Sequence, residues 1–458
     1  MAEKSATTPH ATATEQPAVN DTDRVLKLAL PAVGEQMLNM MVGIVDTFLV
    51  GHLGAAALAG VGLGNQIIML ATSVFAAIAT GTTALVARHS GAQEPASANR
   101  VFHQSYILGA IVGLLTTAVC FVGARASMQA LGAQGDVVDL GSTYMRIVVP
   151  SLLASAFMFI GNAAMRGAGD TRTPMKVMGV VNVVNIVVAY TLINGVGPFP
   201  ALGVAGSALG ASLGRTSGCL VVISILLRGR AGLHLSRANL HLDMSQLRRV
   251  INVGIPAGME MLSMRLGMTI FASVVASLGT TAYAAHQVVM SSESLSFMPG
   301  FGFGVAAATL VGQGLGARAP QRAENNARLA WGLAVLLMST MGLLFFAFAG
   351  SFMRFFTTDA DVIAQGIAPL RLIAIVQPLL ATTMVLSGGL RGAGDTRGPF
   401  LVTTLGIWLV RLPLGFFLVN NTSLGLTAAW ITMILDQFVR SIFFVIRFRS
   451  GRWKRLRV

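Results

Sequence analysis

Residues 166–172 read RGAGDTR, and the same seven letters return at residues 391–397. A shift of 225 residues, the separation of the two copies, also aligns other identical residues from the first apolar segment to the eleventh. One constant offset over most of a chain indicates an internal duplication. Among the residue pairs aligned in this way are Pro31 with Pro256, Glu35 with Glu260, Arg146 with Arg371, and Pro174 with Pro399.

The composition excludes a single water-soluble core. Charged residues make up 11% of the 458 residues, whereas soluble domains carry about 25%. Twelve apolar segments are each long enough to cross a hydrocarbon layer of ~30 Å as a helix. We expect these spans near residues 28–50, 60–87, 104–124, 138–164, 174–196, 202–227, 249–276, 286–312, 329–350, 364–390, 399–419 and 424–446.

The duplication and the number of spans together predict the architecture. Each copy holds six spans, an even number, so both copies enter the membrane from the same side. The sequence therefore predicts an all-α integral membrane protein in which twelve transmembrane helices form two six-helix bundles. A pseudo-two-fold axis along the membrane normal is expected to relate the bundles.

Basic residues between the spans predict the orientation. They concentrate in the even-numbered gaps and the C-terminal tail, and the odd-numbered gaps hold only Arg125 and Arg354. Basic loops stay on the cytoplasmic side, so both termini are expected there. This distribution explains the net charge of +14 without a nucleic-acid partner. The expected segments are a disordered tail (1–23), an N-terminal bundle (24–227), a cytoplasmic linker (228–248), a C-terminal bundle (249–446) and a basic tail on lipid head groups (447–458).

Three stretches together carry a family resemblance. Residues 30–54 read LPAVGEQMLNMMVGIVDTFLVGHLG, residues 284–317 read AAHQVVMSSESLSFMPGFGFGVAAATLVGQGLGA, and the duplicated motif continues as RGAGDTRTP and RGAGDTRGP. The chain resembles the prokaryotic multidrug and toxic compound extrusion (MATE) transporters, nearer to their DNA-damage-inducible branch. The resemblance implies a V-shaped pair of bundles in the inner membrane and no organic cofactor. It also implies a monomer that exports cationic or amphipathic organic compounds in exchange for H⁺ or Na⁺.

The resemblance assigns ion coupling to an acidic residue in the first span, which is Asp46 here. It places Asn185 beside this acid, whereas Ala189 stands where the branch has an aspartate. In the sodium-coupled branch a glutamate of the seventh span is important, and Met264 stands there. A possible Na⁺ site would therefore lie at Asp46 and Asn185.

The residues themselves support a special role for Asp46. A charged group at the centre of a span costs about 2.5–3.5 kcal/mol, so such groups mark functional sites. The 225-residue offset pairs Asp46 with Phe271, and a purely structural acid would more often occur in both copies. Asn182 and Asn185 share one face of the fifth span and complete the predicted cation-coupling set. The alternative is a hydrogen-bonded buried carboxylate, with asparagines that only join helices.

Other polar or flexible groups inside the spans suggest a substrate cavity or its gate. Glu35 and Glu260 are repeat-related, and Glu260 could instead pair with Arg265. Glu293 lies among serines, methionine thioethers adapt to varied ligands, and a proline bends a helix or merely starts it. The candidates for the cavity or its gate are Glu35, Glu260, Glu293, Pro31, Met264 and Met40. Asp436 and Arg440, four residues apart, predict a structural ion pair.

The duplicated heptapeptide itself favours a structural role. Gly167 and Gly169 suit a tight turn, and Asp170, Thr171 or Thr173 could cap the next helix. Its arginines are expected to contact head groups or Asp170, and a gating hinge is the functional alternative. The alternative to drug export is a lipid or lipid-linked-oligosaccharide flippase of the same superfamily. No GxxxxGK[ST] motif occurs, so nothing predicts ATP-driven transport or an enzyme.

Overall fold

The computed structural model describes residues 21–236 and 241–456, and nearly all of these residues are helical. Within the two ranges no β-strand forms, and the β pairing there is an isolated bridge between Arg230 and Leu233. Eleven of the described helices are long and apolar enough to span a membrane, and a bent helix pair supplies a twelfth span. The expectation of an all-α protein with twelve spans is confirmed.

The two halves of the chain contain equivalent sets of helices. The helices of the first half are α1 (Asp21–Gly51), α2 (Ala55–Gly91), α3 (Pro95–Val122), α4 (Ala124–Ala130), α5 (Asp136–Val148), α6 (Ser151–Gly167), α7 (Arg172–Asn194) and α8 (Val204–Leu227). The helices of the second half are α9 (Met244–Ala276), α10 (Thr280–Gly316), α11 (Pro320–Ala347), α12 (Ala349–Phe356), α13 (Ala360–Gly392), α14 (Arg397–Leu405), α15 (Leu412–Asn421) and α16 (Leu426–Arg449). A π-helical turn, Gly406–Arg411, joins α14 to α15, and a 3₁₀ turn, Arg452–Arg455, follows α16.

The fourth span is broken in one half only. Helices α5 and α6 meet at an angle of 53°. Pro150 lies between them, and its missing N–H removes one helical hydrogen bond. The residue that the 225-residue offset pairs with Pro150 is Ile375, and the equivalent helix α13 continues from Ala360 to Gly392.

Three expected boundaries shift in the structure. Residues 21–23, expected in the disordered tail, form the first turn of α1, where Asp21 and Asp23 complement the helix dipole. Helix α9 begins inside the expected linker because the Asp243 carboxylate accepts hydrogen bonds from the backbone N–H groups of Ser245 and Gln246. Helix α16 extends into the expected basic tail. The remainder of the N-terminal tail (1–20), linker residues 237–240 and residues 457–458 lie outside the described residues.

Each half packs around its own core as one lobe. Large buried side chains from several helices form these cores: Phe102, Met165, Val177 and Val222 in the first lobe, and Phe271, Phe345, Ile373 and Trp430 in the second. The start of α1 also joins the lobes, since its residues Val25 and Leu28 share a buried cluster with α10, α11 and α13.

The lobes meet at one face of the molecule, which carries Asp21, Gly91, Gly167 and Gly316 and which we call the terminal face. A Cβ atom added to Gly91 would lie 2.0 Å from the Gln313 carbonyl oxygen of the other lobe. A Cβ atom on Gly316, its repeat partner, would lie 1.9 Å from the Arg88 oxygen. Only glycine permits such close backbone contact, so the duplicated glycines let α2 and α10 close this face.

Candidate functional site

A cavity of about 530 Å³ lies between the lobes. Helices α1, α2, α6 and α7 line one side, and α9, α10, α13, α14, α16 and the π-helical turn line the other. The charged residues in its wall are Glu35, Arg166, Glu260, Glu293, Arg391, Arg411 and Arg440. Its methionines are Met158, Met178, Met261, Met264, Met268, Met290, Met384 and Met433.

Four of the six candidates for the cavity or its gate line this cavity: Glu35 on α1, Glu260 and Met264 on α9, and Glu293 on α10. Asn39 is the last residue of α1 in the wall. Met40, which follows Asn39, therefore lies outside the wall. Flexible thioethers and mixed charges suit a cavity that receives amphipathic organic molecules.

Two repeat-related ion pairs form the end of the cavity nearest the terminal face. The Arg166 guanidinium donates to Glu35 at 2.7 Å, and the Arg391 guanidinium donates to Glu260 at 2.8 Å. Thr403 adds a hydrogen bond to Glu260 at 2.9 Å. Each arginine is the first residue of one heptapeptide copy, so the motif pairs with the acid of the first or seventh span.

Two expected pairings are therefore wrong. Glu260 does not pair with Arg265, because residues five apart on a helix point in different directions and Arg265 is exposed. Arg166 reaches Glu35 instead of Asp170 or a head group. The sequence signal for the true partners was present, because the 225-residue offset aligns Glu35 with Glu260 and Arg166 with Arg391.

The aspartates of the heptapeptides tie helix ends together. Asp170 accepts a hydrogen bond from the Thr173 backbone N–H at 3.0 Å and one from Arg230 at 2.9 Å. In the second copy Asp395 accepts from the Gly398 N–H at 3.1 Å and from Arg447 at 2.8 Å. Each aspartate thus caps the helix that follows it, α7 or α14. Each also binds an arginine at the end of the next span, after α8 or in the last turn of α16. The predicted capping role of Asp170 is confirmed.

Pro31 lies inside α1, not at its start. A proline at this position leaves the Lys27 carbonyl without its helical donor. The Thr171 hydroxyl, from the heptapeptide, lies 3.5 Å from that carbonyl oxygen. The motif loop therefore supports α1 at its proline, which does not itself line the cavity.

We expect Asp170→Ala to lower the free energy of unfolding by about 1 kcal/mol at neutral pH, because Thr173 loses its capping acceptor. Burial raises the pKa of Asp170, but hydrogen bonds from Thr173 and Arg230 outweigh burial, so the pKa lies below the usual aspartate value. The stabilisation is present above about pH 4 and is lost as the pH falls through the lowered pKa. Thermal unfolding in detergent at several pH values measures this stabilisation. The control is Asp361→Ala, which removes an exposed aspartate from the first turn of α13. An equal effect of the two substitutions would contradict the capping role of Asp170.

A second polar cluster lies apart from the cavity, in the half of α1 farther from the terminal face. The buried Asp46 carboxyl interacts with the Asn185 amide of α7 and the Arg215 guanidinium of α8. Tyr144 interacts electrostatically with both Asp46 and Arg215, and its hydroxyl donates a hydrogen bond to Asn65 at 3.0 Å. Asp46 and Arg215 form no ion pair within 4.0 Å among the described residues, so a gap separates the carboxylate from the guanidinium whose charge it feels.

Several polar atoms around this gap have no hydrogen-bond partner within the described residues: Asp46 Oδ1, Arg215 Nη1, and both polar atoms of the Asn185 amide. Buried polar groups without hydrogen-bond partners destabilise the fold and are typical of functional sites. The arrangement leaves the Asp46 carboxylate free to gain or lose a proton without first breaking an ion pair.

The other predicted residues of the fifth span have packing roles. Asn182 donates to the Leu38 carbonyl of α1 at 3.0 Å and to the Met178 carbonyl of its own helix at 2.9 Å. Ala189 packs so closely on α8 that a Cβ atom on Gly210 would lie 2.7 Å from the Ala189 Cβ. Ala189 therefore serves the close packing of α7 on α8 in this chain.

Arg215 and Tyr144 are neighbours of Asp46 that were not predicted from the sequence. The offset of 225 pairs Arg215 with Arg440, and this repeated arginine inside apolar spans was a usable signal. Tyr144 left no such signal, because its neighbours become known only when the bent α5–α6 pair is placed.

A third cluster, of fixed charges, lies in the second lobe. Arg411 donates to Asp436 Oδ2 through Nε at 2.9 Å, and Arg440 donates to the same oxygen at 2.6 Å. The predicted Asp436–Arg440 pair is confirmed, and Arg411 is a second partner. Arg411 ends the π-helical turn, a local widening that often occurs at functional sites.

We expect Asp436→Asn to lower the free energy of unfolding by about 3 kcal/mol or more, because two buried guanidinium groups lose their counter-charge. The comparison is Asp139→Asn, since Asp139 pairs with Arg125 on the surface and exposed pairs contribute about 0–1 kcal/mol. Thermal unfolding in detergent measures both variants. Equal stability of the two variants would contradict the structural role of Asp436.

The MatE family model matches residues 31–191 and residues 256–417, two segments that begin 225 residues apart. This chain belongs to the MatE family. The family consists of transporters, so this MATE protein is a multi-span membrane transporter and not an enzyme.

Two curated relatives and one solved structure agree with this membership. The probable multidrug resistance protein NorM of Thermotoga maritima is 33% identical, over 94% of this chain and 93% of its own. The uncharacterized transporter YisQ of Bacillus subtilis is 27% identical, over 96% of this chain and 97% of its own. A structure of the outward-facing conformation of a MATE multidrug resistance transporter has a TM-score of 0.88 and 23% identity, covering 94% of this chain and 97% of the other. Similarity to NorM and MATE proteins supports a drug efflux transporter.

Proposed function

We propose that this protein is a secondary antiporter that exports cationic or amphipathic organic compounds in exchange for protons. The observation that carries the proposal is the separation of two sites. A methionine-rich cavity suits the substrate, and a carboxylate outside its wall, Asp46, suits the coupling ion. Transport then requires the two sites to bias one shared conformational equilibrium.

The neighbours of Asp46 favour H⁺ over Na⁺ as the coupling ion. Arg215 places a permanent positive charge opposite the carboxylate, and a guanidinium is never deprotonated in proteins. A bound Na⁺ would be repelled by this cation, whereas a proton only neutralises Asp46. Asn185 supplies one amide oxygen, which is less than the several oxygen ligands that a metal cation requires.

We also propose the orientation of the protein in the plasma membrane. Most of the described basic loop residues, among them Arg228, Arg230 and Arg452, lie at the terminal face, so this face is assigned to the cytoplasm. Residues 24–227 and 249–446 then form the two moving lobes, and residues 228–248 form the cytoplasmic linker between them. One chain lines the whole cavity, so we propose that the monomer is the transporting unit.

This orientation makes the structure outward-facing. The close backbone contacts between the lobes occur in the terminal halves of α1, α2, α9 and α10, for example Gly302 against Val33 and Gly254 against Ala77. A proton arriving from outside reaches Asp46 in the outer half of α1. Neutral Asp46 no longer attracts Arg215, so α1 can bend at Pro31, which biases the lobes toward the inward-facing state.

The test is transport by purified protein in sealed vesicles. A fluorescent organic cation is followed under an imposed pH gradient and, separately, under an imposed Na⁺ gradient. We expect the pH gradient alone to drive accumulation. Accumulation driven only by Na⁺ would overturn the coupling ion. Movement of a fluorescent phospholipid between leaflets, without transport of the cation, would instead support a flippase.

A further inference from the structure

The chain continues after its last span as a packed segment. It passes through Gly451, whose φ is 66°, into the 3₁₀ turn Arg452–Arg455. Trp453 in this turn is fully buried. Its ring stacks on Phe448 with the ring centres 5.1 Å apart, and its indole N–H donates to the Phe448 carbonyl oxygen at 2.8 Å. We call residues 451–456 the C-terminal strap.

Apolar packing and an ion pair attach the strap to the second lobe. Trp453 lies in a buried cluster with side chains of α10, α11, α13 and α16, and Leu456 packs against the same cluster. The Lys454 ammonium group pairs with the Glu324 carboxylate of α11. A fully buried tryptophan is held firmly in its cluster, so the strap is expected to move with the second lobe.

A hydrogen bond connects the strap to the first lobe. The Arg88 guanidinium, in the last turn of α2, donates to the Leu456 carbonyl oxygen at 2.7 Å. Arg88 belongs to the first lobe and the strap is attached to the second, so this bond crosses the contact between the lobes. Its donor is charged, and such hydrogen bonds are about twice as strong as those between neutral groups.

The repeat partner of Arg88 makes the reciprocal contact. The 225-residue offset pairs Arg88 with Gln313, whose side-chain amide donates to the Gly167 carbonyl oxygen of the first lobe at 3.1 Å. Each of the two residues thus binds a backbone carbonyl of the opposite lobe. The segment after α8, by contrast, stays on its own lobe, where Leu233 is buried in the core. The acceptor of Arg88 therefore lies in a segment that distinguishes the second lobe from the first.

The surroundings of Arg88 make the closed face depend on this acceptor. Arg88 Nη1 is buried and has no hydrogen-bond partner among the described residues. Arg249, near the start of α9, adds a repulsive positive charge. If the strap detached, the guanidinium would stay buried beside a like charge without the Leu456 carbonyl, which is unfavourable. Detachment would therefore favour separation of the lobes at the terminal face, where Arg88 reaches water.

We propose that the C-terminal strap is a latch that holds the terminal face closed. The strap carries the acceptor for Arg88 and moves with the second lobe, so opening of this face must break the bond between them. Release of the strap shifts the equilibrium of the lobes toward the state with an open terminal face. The inference goes beyond the proposed function, because it concerns the closure of this face and neither the substrate nor the coupling ion.

The experiment measures how often the terminal face opens. Thr309 of α10 is fully buried, and its hydroxyl donates to the Arg166 carbonyl oxygen of the other lobe at 3.0 Å. A cysteine at this position is therefore expected to react when the lobes separate. Full-length Thr309→Cys protein without Cys120 and Cys219 is placed in nanodiscs and treated with a charged methanethiosulfonate reagent. Because the rate of modification follows the population of the open state, a rare open state is also measured.

Two substitutions, one on each side of the bond, release the strap in this background. Arg88→Met keeps the length of the side chain without its donors, and Trp453→Ala removes the buried anchor. Each is expected to raise the rate about tenfold, the usual contribution of a hydrogen bond from a charged group. The double variant is expected to match the faster single variant within about threefold, because both substitutions act through the same strap.

Each substitution has a matched control. Arg100→Met removes an exposed arginine of the same lobe, which donates to Ser97 on its own helix. Leu233→Ala removes a buried apolar side chain from the segment that follows the last span of the first lobe. Neither control breaks a contact between the strap and α2, so both are expected to keep the rate within about twofold.

Two results would overturn the latch. One is an unchanged rate of modification in Arg88→Met. The other is a rise of about a hundredfold in the double variant, since the effects of independent sites multiply in a rate or an equilibrium constant. If Trp453→Ala does not fold, Lys454→Gln takes its place, because it loosens the strap at Glu324 and keeps the buried cluster. The same rise in rate and the same lack of multiplication with Arg88→Met are then required.

Discussion

Asp46→Asn is expected to reduce proton-driven export of a fluorescent cation at least tenfold while leaving the protein folded and inserted. Asparagine has nearly the shape of aspartate but cannot carry the coupling proton. The Asp46 carboxylate makes no ion pair within 4.0 Å among the described residues, so the substitution does not leave a cation without its ion-pair partner. Because Asp46 lies outside the cavity wall, binding of the cation is expected to persist.

The measurement combines transport and binding in the same preparations. Vesicles with an imposed pH gradient report export, and anisotropy in nanodiscs reports the dissociation constant of the cation. Asp139→Asn makes the same chemical change in the same lobe at an exposed surface pair, and should transport like wild type. Full export by the Asp46→Asn protein would reject Asp46 as the coupling residue. Loss of binding together with export would assign it to the substrate.

Gly91→Val and Gly316→Val are expected to reduce export at least tenfold by holding the terminal face open. Added Cβ atoms at these positions would come within 2.0 Å and 1.9 Å of carbonyl oxygens in the opposite lobe. Backbone cannot yield as a flexible side chain can, so the lobes must separate there. The state with a closed terminal face would lose population, and alternating access would stall.

Double electron–electron resonance measures this separation directly. Spin labels at Ala96 and Gln321, exposed and repeat-related, report the distance across the terminal face in a background without Cys120 and Cys219. We expect a longer distance in both valine variants. Gly62→Val is the control, because Gly62 lies on α2 with open space around its Cβ position. An unchanged distance in Gly91→Val would show that the glycine contact does not determine closure.

The duplicated pattern made the architecture predictable from the sequence. One offset gave the two lobes, the six spans of each and the equivalence of Glu35 with Glu260. The same offset aligns Arg166 with Arg391. The expected partner of Glu260, Arg265, was wrong although it is closer in sequence than the observed partner, Arg391. Proximity along a helix predicts contact only at spacings of three or four residues. Charged pairs between distant spans follow instead from how the helices pack.

The parts that escaped prediction depend on departures from regular helix. Pro150 breaks the fourth span in the first lobe, and this bend places Tyr144 near Asp46. The π-helical turn ending at Arg411 brings that side chain to Asp436. No periodicity in the sequence marks either departure from regular helix. The residues that make up the two charge clusters could therefore be identified only from the structure.

On the proposed function, Asp46 carries the coupling proton, and Phe271 leaves the second lobe without an equivalent acid. We therefore expect one proton to enter for each substrate that leaves. Export of a monovalent cation is then electroneutral, and the pH gradient alone sets its limit. Export of a compound without net charge would move one net positive charge inward, so the membrane potential adds about 2.3 kcal/mol for each 100 mV. The two substrate classes would therefore respond differently to a potassium diffusion potential in the same vesicles.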